Sequence, residues 1–225
     1  IGSSFMAKIG YLFMRKVFKK LKNTLDYSKH GGAVLIDCGA NAEGTPEYLL
    51  QFAYLGSFYA GRVLGLERPR VGLLNIGTED SKGGELQKEA YKLLSKAPIS
   101  FAGNIESREM PKGVCDAVIT DGFTGNIALK LIEGTASTFF SLIKKVFYKS
   151  LTNKLAALVV KKDLGGLKKM MDSTEVGGAP LLGVKGTVIK AHGNSDAKAF
   201  KNAIRQAVKY TETGVTEKIS ASLAE

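Results

Sequence analysis

Cysteine and histidine are both scarce in this chain. Its 225 residues hold two cysteines, Cys38 and Cys115, far apart, and two histidines, His30 and His192. No usual zinc-ligand spacing can be made from these four, so no metal is expected. Two free thiols fit a reducing cytoplasm. No apolar run approaches the ~18 residues of a spanning helix, so none is expected. The chain opens on Ile1, and nothing near it reads as a signal peptide, so a fragment or a processed chain is the expectation. A P-loop, a G-x-G-x-x-G fingerprint and a Ser-His-Asp order are also lacking, which leaves a dinucleotide-dependent dehydrogenase without its signature.

Negative charge is the minority sign. Lys and Arg number 32 against 21 Asp and Glu, a net charge of +11. Such a balance suits nucleic acid, an anionic membrane surface, or an acidic protein or substrate. No recognition motif accompanies the charge, so nucleic acid is not an expected partner. The 44% hydrophobic content supports one substantial core or two modest ones.

From residue 33 onward short apolar runs alternate with helical patterns. Strands are expected at 33–37 (AVLID), 70–77 (RVGLLNIG), 99–104 (ISFAGN), 116–120 (DAVIT) and 187–193 (TVIKAHG). Helices are expected at 46–64, opened by Thr45-Pro46-Glu47, at 85–96, at 125–149, and from Ser195 or Asp196 past Tyr210. This alternation predicts an α/β fold: three α/β/α layers around a mainly parallel sheet, with protruding amphipathic helices. Ligands of such sheets bind beyond the carboxyl ends of the strands. Four loops should gather there: Asp37 to Asn41, Asn75 to Lys82, Gly103 to Glu106, and Asp121 to Asn126.

Residues 5–33 can be laid on 151–179 at a constant offset of 146, with nine identities that include Asp26/Asp172 and the Gly-Gly-Ala ending both segments. At about 100° per residue, Lys8, Arg15, Lys19 and Lys22 fall in one stripe. A cationic amphipathic helix suits a membrane interface, and equally the surface of a dimer with a solvated basic face. The expected division is therefore a basic helical segment, 1–30, resembling 151–176, and an α/β domain over 31–225.

The loop residues carry the candidate chemistry. In "DGFTGN", Gly122 and Gly125 permit a close approach. A helix starting near Gly125 would point unpaired N–H groups at the loop, and Asn126 would add a neutral donor for a developing oxyanion. A plain strand–turn–helix connection explains the same spacing. In "NIGTEDSKGGEL", Thr78 and Lys82 crowd a strand–helix loop, where a lysine can clamp phosphate or act as a base. An ordinary solvated lysine fits there too. His192 is a ligand contact or a hydrogen-bonded loop histidine.

The blocks "LIDCGAN", "PEYLLQFAYLGSFYAGRVLG", "PRVGLLNIGTEDSKGGEL", "FAGNIESRE", "DGFTGNIALKLIEGTA" and "GGAPLLGVKGTVIKAHGNSDAKAFKNAIRQA" run through residues 31–210. In this order they resemble the bacterial phosphate acyltransferase family of phospholipid synthesis (the PlsX family). The resemblance implies transfer of a fatty acyl group from acyl carrier protein to inorganic phosphate, without cofactor or metal. It also implies a cytoplasmic homodimer held peripherally at an anionic membrane surface. Lys82 would activate phosphate and Asn126 would stabilise the thioester oxyanion. Asn41, Thr78, Gly122, Thr124, Gly125 and His192 would line the substrate. Leu151, Leu155, Leu158 and Lys161 would touch the membrane. The family's amino-terminal motifs, "DAMGGD" and "SAGNTGA", are absent. Two alternatives accordingly stand beside the acyltransferase: an incomplete, membrane-docking module, and a phosphotransacetylase acting on acyl-coenzyme A.

Overall fold

The structure, a computed structural model, describes residues 7–11, 33–62, 64–170, 177–191, 193, 195–212 and 214. Seven strands form one mixed sheet. In chain order they are β1 (Ala7–Tyr11), β2 (Val34–Ile36), β3 (Arg70–Asn75), β4 (Ser100–Glu106), β5 (Ala117–Ile119), β6 (Gly178–Leu182) and β7 (Val188–Ala191). The spatial order is β4-β3-β5-β2-β1-β6-β7. The first four of these pair in parallel and the remainder antiparallel. The helices are α1 (Pro46–Arg62), α2 (Glu85–Lys96), α3 (Gly122–Tyr148), α4 (Leu151–Met170) and α5 (Ala197–Glu212), with a 3-10 turn at Ser107–Lys112.

The parallel half is the expected βαβ arrangement. Strands β2, β3 and β5 bury both faces, the edge strand β4 only in part, and the period-2 alternation assigns each residue to a layer. Val34, Ile36, Val71, Leu73, Ala117 and Ile119 meet α1 and α2 through Leu49, Phe52, Tyr59, Ala90 and Leu94. Leu35, Leu74, Ile105 and Val118 face the other way, toward Met110 and the Ala128, Leu129 and Ile132 side of α3. Each large side chain so buried contributes roughly 1.5–3 kcal/mol. Local signals begin the helices where the spacing placed them. Thr45 Oγ1 accepts the Tyr48 N–H at 3.3 Å and Asp196 Oδ1 accepts the Ala199 N–H at 2.7 Å.

At the amino edge, β3 and β5 are tied by an ion pair between the part-exposed Arg70 and the buried Asp116. Asp116 accepts from the Arg70 backbone N–H at 2.7 Å and from its Nε at 3.1 Å. That hydrogen bond, ahead of the opposing desolvation, raises the Arg70 pKa further. Burial pushes the neighbouring Cys115 thiol up to about 11.

Two expectations are corrected and one strand is added. Residues 7–11 form a strand between β2 and β6, not part of a basic amphipathic helix; the rest of that segment lies outside the described residues. Over residues 7–11 the repeat does not extend to structure, because the matching residues 153–157 are helical in α4. A strand also forms at β6, where Pro180 sits between the apolar pairs, and it pairs antiparallel with β7. Finally, α3 begins at Gly122, three residues before the expected start, because Asp121 serves as its cap.

Candidate active site

The sheet order creates a crevice at the carboxyl edge. The chain leaves β2 and β3 for helices on one face, and leaves β5, which lies between them, for α3 on the other face. Loops that part in this way open a cleft beyond the strand ends. The β3–α2 loop carries Thr78 and Lys82 to one side. The start of α3 carries Thr124 and Asn126 to the other, one strand away.

The β5 side is built on two carboxylates. Asp37, fully buried, follows β2 and closes its own loop. Its Oδ1 accepts the Ala40 N–H at 2.9 Å, and its Oδ2 accepts the Asn41 N–H at 2.8 Å and Asn41 Nδ2 at 2.9 Å. Helix α3 lies directly on this loop. A Cβ on Gly122 would stand 2.7 Å from Asp37 Oδ2, and one on Gly125 would strike the Asp37 carbonyl oxygen. The Asn126 side chain in turn packs over Gly39, 3.4 Å from where a Cβ would be. Asp121 accepts the Thr124 N–H at 2.8 Å through Oδ1, and its carbonyl accepts the Gly125 N–H at 2.9 Å.

These bonds change what the loop offers. The Thr124 and Gly125 N–H groups, expected to face an anion, are taken by Asp121. Asn41 uses its amide nitrogen to hold Asp37. What stands at the cleft is the exposed Thr124 side chain and the part-buried Asn126. Glycine at 122 and 125 is required by the close packing of helix on loop.

The β3 side holds Lys82, about half exposed, with its Nζ 4.0 Å from Glu79 Oε1. Thr78 is exposed on the same loop. His192 lies outside the described residues, as does His30. Among the described residues no group of three or more His, Cys, Asp or Glu is placed to hold a metal. Two residues that the spacing did not single out, Asn75 and Asn104, are buried beneath the Lys82 loop. The available signal was an amide at or near the end of an otherwise apolar strand.

The proposed membrane residues occupy a different region. Helices α3 and α4 fold back on each other, with Ser150 Oγ accepting the Asn153 N–H at 3.1 Å and Asn153 Nδ2 donating to the Val146 carbonyl at 2.9 Å. Between them runs a groove of about 890 Å³, lined by Phe140, Phe147, Leu155 and Leu158 with Lys154 and Lys161. Leu151, Leu155 and Leu158 are 75%, 59% and 67% exposed, at i, i+4 and i+7 on one face of α4. No described helix is long and apolar enough to cross a membrane.

Four parallel strands whose loops part at the carboxyl edge define an open α/β domain, a class in which ligands bind beyond the strand ends. Residues 31–218 match the model of the fatty acid synthesis protein family, and the chain belongs to that family. It is 52% identical over 203 residues to the phosphate acyltransferase of Oceanobacillus iheyensis, covering 90% of this chain and 61% of the relative. To that of Alkaliphilus oremlandii it is 53% identical over 194 residues, covering 86% and 58%. To that of Bacillus cereus it is 54% identical over 175 residues, covering 78% and 53%. The chain thus spans about three fifths of the length of the relatives it matches.

Proposed function

We propose that this chain carries a phosphate acyltransferase site, in which inorganic phosphate attacks the thioester of an acyl carrier protein. A phosphate oxygen forms a bond to the acyl carbonyl carbon, the carbon–sulfur bond breaks, and the carrier thiolate leaves and takes a proton. The product is an acyl phosphate for phospholipid synthesis. The observation that supports this reading is that the Lys82 loop and the start of α3, which bears Asn126, follow the adjacent strands β3 and β5. A compact ammonium matches phosphate, and a fixed amide N–H matches the oxyanion that develops on the carbonyl. The relatives' name, phosphate acyltransferase, supports the same chemistry. The net charge of +11 favours an acidic carrier protein over a neutral thioester donor.

A peripheral association with an anionic membrane surface is proposed for the α3–α4 hairpin. The exposed leucines of α4 beside Lys154 and Lys161 support it. The exposed Phe139, Leu142 and Val146 of α3 offer a further apolar face suited to a second copy of the chain.

The test is acyl-phosphate formation by the purified chain from acyl carrier protein thioester and phosphate. A phosphate-dependent product that is lost in Lys82→Ala supports the acyltransferase. Turnover only with acyl-coenzyme A would make it a phosphotransacetylase. A folded chain without product that still binds anionic vesicles would make it the membrane-docking module.

A further inference from the structure

We propose that Asn75 and Asn104 are positioning residues that act through Lys82, fixing its backbone so that only its side chain moves between Glu79 and a bound phosphate; this rests on the reading of Lys82 given above. Both amides are at least nine-tenths buried, at the carboxyl ends of β3 and β4. Asn75 Nδ2 donates to the Lys82 carbonyl at 3.0 Å, while its Oδ1 accepts the Ile76 N–H at 2.8 Å. The Lys82 N–H donates to the Glu79 carbonyl at 3.1 Å, closing a turn over residues 79–82. Asn104 Nδ2 donates to that same Glu79 carbonyl at 2.7 Å. Both backbone groups of Lys82 are therefore tied, directly or through one carbonyl, to amides buried in the sheet. Gly83 completes the clamp: its φ is 89°, and a Cβ there would stand 2.6 Å from Asn75 Oδ1.

The clamp is not arranged for stability alone. Asn104 Oδ1 is buried and finds no hydrogen-bond partner among the described residues. An orphaned buried acceptor costs free energy that an apolar side chain of the same shape avoids. An amide held at that cost beside the site fits a residue kept for where it holds the loop.

With the loop fixed, the Lys82 ammonium pivots on a set base. Its 4.0 Å approach to Glu79 is loose, at a half-exposed position. A dianionic phosphate in the crevice competes well against one solvated carboxylate.

The experiment is a titration of the chain with inorganic phosphate followed by phosphorus NMR, with thermal melts in parallel. Asn104→Leu is expected to weaken phosphate binding about tenfold, the scale of coupling between residues in one network. Its melting temperature should stay level or rise. Asn104→Ala and Asn75→Leu serve as second variants should the first fail to fold. In a Lys82→Ala background, Asn104→Leu should add no further loss, because its effect is carried by Lys82. Wild-type affinity in a folded Asn104→Leu chain, or an equal further loss without Lys82, would overturn the clamp. Absence of phosphate binding by the parent chain would instead overturn the reading of the site, and the clamp with it.

Discussion

Gly125 and Asp37 are in such close contact that a single methyl group cannot be placed between them: a Cβ on Gly125 would fall on the Asp37 carbonyl oxygen. This contact seats the first turn of α3 on the β2 loop and so sets where Asn126 emerges. Gly125→Ala must push the helix away from backbone that has nowhere to go, since Asp37 is itself hydrogen-bonded to Thr120 at 3.0 Å. The expected cost is about 3 kcal/mol, the upper end of ordinary overpacking. Urea unfolding measures it, and an unchanged midpoint would show that the helix shifts freely.

Lys82→Ala and Asn126→Ala should separate the two halves of the chemistry. Loss of one oxyanion donor lowers turnover about 10²–10³-fold, so Asn126→Ala should act mainly on kcat. Lys82→Ala should raise the KM for phosphate as well as lower kcat. Lys82→Arg should recover charge but only part of the rate, because a planar guanidinium cannot take the place of a compact ammonium. Steady-state kinetics with phosphate varied decides this, and full activity in either alanine variant removes that residue from the mechanism.

The parallel half of the fold was legible because its signals are local. Short apolar runs stop at Asp37, Asn75 and Thr120, and helix caps such as Thr45 follow within a few residues. The antiparallel half was not. β1 gains its strand character from pairing with β2 and β6, and β6 from pairing with β1 and β7, and nothing in the spacing of Lys8, Arg15, Lys19 and Lys22 encodes that. At the site, the lysine and the asparagine stood out by residue type. The bonds that decide their setting did not, because Asn104 reaches Glu79 across 25 positions of chain. The taking of the Thr124 N–H by Asp121 was readable in principle, since an acid just before a helix is a cap as readily as a ligand group.

Cys115 gives the stability a pH dependence on the alkaline side. Burial raises its thiol from 9.0 to about 11. Below pH 9 both folded and unfolded chains hold the proton. Between pH 9 and about 11 the unfolded chain releases a proton that the native chain keeps, so stability falls as pH rises. The loss integrates to about 2–3 kcal/mol. Lysines and tyrosines titrate in the same window, so the comparison is with Cys115→Ala. Its unfolding free energy should fall less steeply over that range, and parallel curves would show that the thiol is not the cause.

The exposed leucines of α4 stand apart from the crevice. Leu155 and Leu158 line the groove between α3 and α4, while Lys82 and Asn126 stand at the strand ends. Leu155→Glu with Leu158→Glu should therefore abolish sedimentation with anionic vesicles while leaving phosphate binding intact. Lipid charge supplies a second check. A lysine beside an anionic surface contributes about 1 kcal/mol, so Lys144, Lys154 and Lys161 together account for roughly a hundredfold in affinity. Vesicles of neutral lipid should bind more weakly by about that factor, and added salt should erase most of the difference. Equal binding to neutral and anionic vesicles would leave the leucines as the whole attraction and the lysines as a solvated rim. Parallel loss of vesicle and phosphate binding in the glutamate variant would mean that the hairpin supports the domain rather than docking it.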